Sequence, residues 1–156
     1  MQEYLNNYYT LEIGVDFEQY ASKLQNNEID ILLLKCPTKP FRTQDIDIIK
    51  TFVKNGGGLF LIGDHTDVFG FSTHFNPLAG QFGLEFQKNG QWDIHGSFSV
   101  YSRPTTLSHP VGLHTPPVLF MTGCTLKAPL FCEKSLIGSG MMTRRANYAN
   151  RNFFPD

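Results

Sequence analysis

The chain has 156 residues, of which 41% are hydrophobic and 17% charged, with a formal net charge of -1. That length supports one domain with its own core, and the balance excludes wholesale disorder. The 14 Phe and 6 Tyr are scattered rather than clustered with Lys or Arg, so neither nucleic acid nor an anionic membrane is an expected partner.

No apolar run approaches the ~20 residues of a membrane helix, and "MQEYLNNYYT" lacks the basic start and apolar core of a secretory signal. Cys36, Cys124 and Cys132 form no CxxC pair. They read as reduced, mostly buried thiols of a reducing compartment, not as a zinc ribbon or a thioredoxin-type site. No cofactor is implied.

In chain order, "MQEYLNNYY" reads as the end of a helix and "TLEIG" as a short strand. "DFEQYASKLQNN" places Phe17, Tyr20, Ala21 and Leu24 on one helical face, with Asp16 as N-cap. The aliphatic run Ile29–Lys35 predicts a strand covered on both faces. After the proline-containing "CPTKPF", the segment "TQDIDIIKTFVKN" predicts a helix. Thr43 caps it, Asp45 and Asp47 sit in its positive first turn, and Ile46, Ile49 and Val53 form its inward stripe. Gly56, Gly57 and Gly58 give the left-handed exit, and Leu59–Gly63 is a second buried strand. Strand, helix, glycine turn and strand predict a parallel, right-handed βαβ unit.

Beyond it, "STHFNPLAGQFG" predicts a short helix near Pro77 that ends at Gly83, and "LEFQ" a strand. "SFSVYS", "PVLFMTGCTL" and "KSLIGSG" read as short strands separated by the turn-rich "RPTTLSHPVGLHTPP".

The second core strand runs straight into Asp64, His65, Thr66 and Asp67. In an open parallel α/β sheet that is where ligands bind. Three readings stay open. Asp64 and His65 form a general-base pair, with the carboxylate raising the basicity of the imidazole. Asp64, His65, Thr66, Asp67 and His74 bind a ligand; within that set Asp64, His65 and His74 suit a divalent cation, with His95 or His109 as recruits. Alternatively, Asp64 and Thr66 cap the loop and the next helix while His65 bonds to backbone. "GSG" at 138–140 reads as a turn, and "TGCTL" around Cys124 as a buried strand cysteine rather than a nucleophile elbow. Arg144 and Arg145 read as a solvated basic spot, and Asn76-Pro77 as the start of a helical turn.

The pattern "DILLLKCPTKPFRTQDIDIIKTFVKNGGGLFLIGDH", Asp30 to His65, resembles the class I glutamine amidotransferase-like superfamily. The nearest branch is that of uncharacterised domains related to those embedded in β-galactosidases and in transport-associated membrane proteins. "FNPLAGQFGLEF" and the later "SHP" fit that branch. The resemblance implies a three-layer, flavodoxin-like α/β sandwich with an irregular β-rich second half. Glutaminases of the class place a cysteine after the strand corresponding to Leu59–Gly63; here the turn reads Gly63-Asp64-His65. Without a thiolate nucleophile, glutaminase activity is not expected. The resembling domains begin with a further central strand, so this single domain is expected to be a fragment lacking that strand and a C-terminal continuation. Any membrane attachment would then lie outside it. The expected function is binding of a small ligand or a protein partner at the Asp64–Asp67 loop. The alternatives are a hydrolase using Asp64 and His65, and a structural or interaction domain of a larger membrane-associated protein.

Overall fold

The computed structural model describes residues 2–93, 105–106, 122–133, 136–137, 141–145 and 148–149. The chain divides into two units, residues 1–32 with 42–58 and residues 33–41 with 59–156.

The first unit is built on helices. α1 (Gln2–Leu5) buries no residue, and residues 10–14 are not a strand, in contrast to expectation. α2 (Glu18–Gln25) buries Leu24 and half-buries Phe17, Tyr20 and Ala21 on the expected face. Phe17, not Asp16, takes its N-cap position; Asp16 offers only its backbone carbonyl, to the Gln19 amide at 3.4 Å. α2 packs against α3 (Thr43–Lys54), whose buried residues are Asp45, Ile48, Ile49 and Phe52. The inward stripe is therefore rotated from the expected Ile46–Ile49–Val53, with Ile46 and Val53 half-buried at its margin. A buried Phe or Ile side chain contributes about 1.5–3 kcal/mol, which outweighs the small differences in helix propensity along the segment.

The end of α3 follows its sequence closely. Gly56 adopts φ +101°, its amide bonds to the Val53 carbonyl at 3.0 Å, and the Gly57 amide bonds to Phe52 at 3.0 Å. This is the Schellman arrangement, which needs a residue without Cβ penalty in the left-handed region.

Strands β1 (Ile31–Lys35) and β2 (Gly58–Ile62) pair in parallel: Gly58 N donates to Asp30 O and Cys36 N to Ile62 O, each at 2.9 Å. β1 is not covered on both faces. Leu32 is buried, but Ile31 and Leu33 are 56% and 39% exposed.

The second unit is centred on aromatics of α4 (Phe71–Ala79) and β3 (Glu85–Phe86). Phe71, Phe75, Ala79 and Phe86 form a buried cluster against which Leu34, Phe41, Leu61 and Leu84 pack. Phe75 and Phe86 stack at 5.3 Å, while Phe71 meets Phe86 edge-on at 5.8 Å. Pro77 lies inside α4 rather than at its start, and a short 3₁₀ turn, Gly80–Phe82, continues to Gly83. Asn76 ties α4 to β3. Its side chain accepts from Phe86 N at 2.9 Å and donates to Phe86 O at 3.0 Å, completing backbone bonds of the strand.

The second-half sheets are antiparallel pairs. β4 (Asn89–Asp93) pairs with β8 (Met141–Arg145), β5 (Thr105–Thr106) with β7 (Leu136–Ile137), and β3 with β6 (Leu126–Lys127). Arg144 and Arg145 thus belong to a strand. Cys124 is half-buried and precedes β6 rather than lying within a strand. The expected strand at 97–102, the "GSG" turn and the "SHP" motif lie outside the described residues. The architecture is mixed α/β with one parallel pair; among the described residues every sheet is two-stranded, and a continuous three-layer sandwich is not shown.

Candidate functional site

β2 ends at Ile62, and Gly63 carries the chain flush against the aromatic cluster. A Cβ on Gly63 would lie 2.6 Å from the Phe86 ring and 2.7 Å from that of Phe71, so only glycine fits this approach. The chain then enters an unusual turn. Thr66, Asp67 and Phe69 take φ +51°, +54° and +54°, followed by Gly70 at +74°. For non-glycine residues this region costs about 1–3 kcal/mol each, and it persists only where the surroundings over-determine it.

The surroundings do so. The Thr66 amide donates to Asn89 O, and Thr66 O accepts from the Tyr148 amide, both at 2.7 Å. Asn89 is itself fixed by Thr125, whose amide donates to Asn89 Oδ1 at 2.9 Å. Asp67 has no solvent exposure. Its Oδ1 accepts from the Thr73 amide at 3.0 Å; its Oδ2 accepts from the Thr73 hydroxyl at 2.8 Å and from Lys88 Nζ at 2.9 Å. Lys88 Nζ also donates to Thr73 Oγ1 at 2.7 Å. Burial is the largest influence on the Asp67 carboxyl and pushes it upward. The bonds from Lys88 and Thr73, with the Lys88 charge, prevail and hold it below the usual carboxylate range.

The loop residues therefore separate into two sets. Thr66 and Asp67 face inward and hold the turn, while Asp64 and His65 remain partly exposed, with side chains 44% and 28% accessible. The His65 amide donates to Asp64 Oδ1 at 2.8 Å, which fixes the carboxylate against the loop. His65 Nδ1 lies 2.7 Å from Thr66 Oγ1, and Nε2 lies 3.7 Å from Asp64 Oδ1, beyond hydrogen-bond reach. The expected orienting bond from Asp64 to the imidazole is thus made by Thr66 instead. Phe69, in the 3₁₀ turn Val68–Gly70 that follows, is 47% exposed.

His74 sits on α4 over Gly70, where a Cβ on residue 70 would meet its Nε2 at 3.1 Å. Among the described residues no group of three or more His, Cys, Asp or Glu side chains could hold a metal ion, so Asp64, His65 and His74 do not form the expected cation set. His95 and His109 lie outside the described residues. Burial raises the Cys36 thiol, and the Asp64 carboxylate adds to that. Burial pushes Cys124 up to about 11. Both stay protonated at neutral pH and supply no thiolate.

Sequence reasoning missed Lys88, Thr73 and Phe69. Lys88 has no local signal, because its partner is 21 positions earlier. Thr73 lies inside the segment expected to be helical, but nothing in that pattern marks it as a partner of Asp67, and exposed Phe69 matches no motif.

No family model matches the chain, and no curated protein matches it. Among solved structures, the chain is similar to one described as the "mmIFT52 N-terminal domain", with TM-score 0.66 and 12% identity over 95% of this chain and 77% of that one. At such identity the likeness shows the fold alone. It also corrects the resemblance to the class I glutamine amidotransferase-like superfamily: the strand–helix–glycine–strand pattern that carried it marks a βαβ unit, which many families share, and the matching structure is of another description. Among the described residues no helix is long and apolar enough to cross a membrane.

Proposed function

We propose that this chain is a protein-interaction domain that presents the pre-organised loop Asp64–Gly70 to a protein partner. The observation that carries the reading is the strain at Thr66, Asp67 and Phe69, held by an ion pair whose carboxylate is fully buried and by backbone bonds between Thr66 and both Asn89 and Tyr148. Strain of this kind concentrates at functional sites. Here its effect is to hold Asp64, His65 and Phe69 outward on a turn that cannot relax. An exposed aromatic on the same loop as a partly exposed carboxylate and imidazole suits a protein hot spot, where an apolar anchor is rimmed by polar groups. The structural likeness supports this to the extent that the fold occurs as one domain of a longer protein. The finer architecture, a three-layer flavodoxin-like sandwich, is proposed on the strength of the parallel β1–α3–β2 unit.

A photo-reactive phenylalanine analogue at position 69 tests the reading in extracts of the native host. The expected result is a discrete protein adduct that Asp64→Ala weakens and that the same probe at Phe131, 85% exposed, does not form. Equal adducts at both positions, or none at position 69, would sink it.

A further inference from the structure

We propose that Lys88 is a charge latch for the Asp64–Gly70 loop, and that acylation of its amine is a means of switching off the loop's display. The proposal rests on the interaction reading above and names its regulation.

Asp67 is fully buried, and the cation paired with it is Lys88. The two members differ in access: the Asp67 side chain has no exposure, whereas that of Lys88 is 44% exposed. A reagent can therefore reach the latch from the lysine side and never from the carboxylate side. Thr73 cannot replace the lost charge, because its amide and hydroxyl already donate to the same carboxylate. Neutralising Lys88 leaves a buried carboxylate without a counter-charge, the costly way to break such a pair. The adjacent left-handed residues then have a release route, since relaxing Thr66, Asp67 and Phe69 relieves their backbone strain and lets the carboxylate turn to water.

The donor is an activated ester or thioester. The deprotonated Nζ attacks the acyl carbon, an N–C bond forms, and the acyl–oxygen or acyl–sulfur bond breaks. Buffer has taken one proton from the ammonium beforehand, and the leaving alcohol or thiol carries away the one that the amine loses on becoming an amide. The product is a neutral amide, which donates one hydrogen bond and carries no charge.

The test treats folded wild type and Lys88→Arg with the N-hydroxysuccinimide ester of acetate, alongside untreated Lys88→Gln, and follows amide hydrogen exchange. The amides of Gly70 and Thr73, which donate to Asp67, report the latch; those of Asn55 and Gly57, at the end of α3, serve as reference. Acetylated wild type and Lys88→Gln are expected to exchange about tenfold faster or more at Gly70 and Thr73, with Asn55 and Gly57 unchanged. Acetylated Lys88→Arg, whose guanidinium keeps its charge, stays at the wild-type rate. Unchanged protection at Gly70 and Thr73, equal acceleration in acetylated Lys88→Arg, or equal acceleration at the reference amides overturns the latch. Should Lys88→Gln fail to fold, Asp67→Asn/Lys88→Gln decides. Removing both charges is expected to restore protection to within about threefold of wild type, and an additive loss overturns the proposal. The readout needs no partner, so a failed latch leaves the interaction reading intact, and a missing cross-linked partner leaves the exchange result standing.

Discussion

The starts of α3 and α4 solve one problem in opposite ways. Each helix has an Asp that satisfies an amide near its N-terminus and pairs with a cation. At α3 the acid lies inside the helix. Asp45 reaches back to the Arg42 amide at 3.1 Å, and the Arg42 side chain, three residues away and 54% exposed, closes the pair at 2.8 Å while also bonding Glu18. At α4 the acid lies upstream, reaches forward to the Thr73 amide, and takes its cation from Lys88, beyond β3. The first arrangement is local and costs no unusual backbone. The second requires left-handed residues on both sides of the acid and a lysine from elsewhere in the chain. The α4 arrangement is thus the one that stores strain, and it follows the partly exposed Asp64 and His65 and includes the exposed Phe69.

The comparison can be broken most directly by removing each acid. Asp67→Ala is expected to cost about 3 kcal/mol in urea unfolding, because Lys88 loses a buried partner and the turn loses its anchor. Asp45→Ala is expected to cost about 1 kcal/mol, the usual worth of a helix cap paired with an exposed arginine. Equal costs would show that burial of the Asp67 carboxylate gives its pair no special weight.

Acid titration sharpens the same contrast. The Arg42 side-chain hydrogen bond is the largest influence on Asp45 and, against a smaller burial effect, holds its carboxyl below the usual range; Asp67 is likewise depressed. A depressed carboxyl contributes stability above the unfolded value of about 3.9 and loses it as pH falls through the folded value. The melting temperature should therefore be level above about pH 5 and fall below about pH 4. Asp67→Asn should flatten that fall more than Asp45→Asn does, and the reverse order would reassign the dominant acid.

The smallest effect is expected at Ser72, in the first turn of α4. Its hydroxyl is fully buried and has no hydrogen-bond partner among the described residues. Ser72→Ala should be neutral or stabilise by up to about 1 kcal/mol; a loss of that size in thermal melts would reveal a bond the structure does not show.

Much of the first unit was legible because its determinants are close in sequence. The apolar face of α2, the extent of α3 and the Gly56 exit follow from helical periodicity and from glycine's freedom at positive φ. The errors there were local. The strand expected at 10–14 is absent, and Phe17 and Arg42 rather than Asp16 and Thr43 take the N-cap positions. Ile48 and Phe52 displaced Ile46 and Val53 from the inward stripe, because packing selects the larger contact from a continuous apolar arc. The site was legible only in position. The run Leu59–Gly63 located the end of a parallel strand, but not which of Asp64, His65, Thr66 and Asp67 would turn inward.

By itself, then, the sequence determined the βαβ rhythm, the glycine exit and the address of the polar loop, since each depends on residues within a few turns of one another. Tertiary structure alone decided that Asp67 is an internal anchor while Asp64 and His65 face outward. That choice depends on Lys88, Thr73, Asn89 and Tyr148 arriving together around one turn. Charge and hydrogen bonding select a backbone conformation only when the groups meet in space, and no local pattern in the chain encodes that meeting.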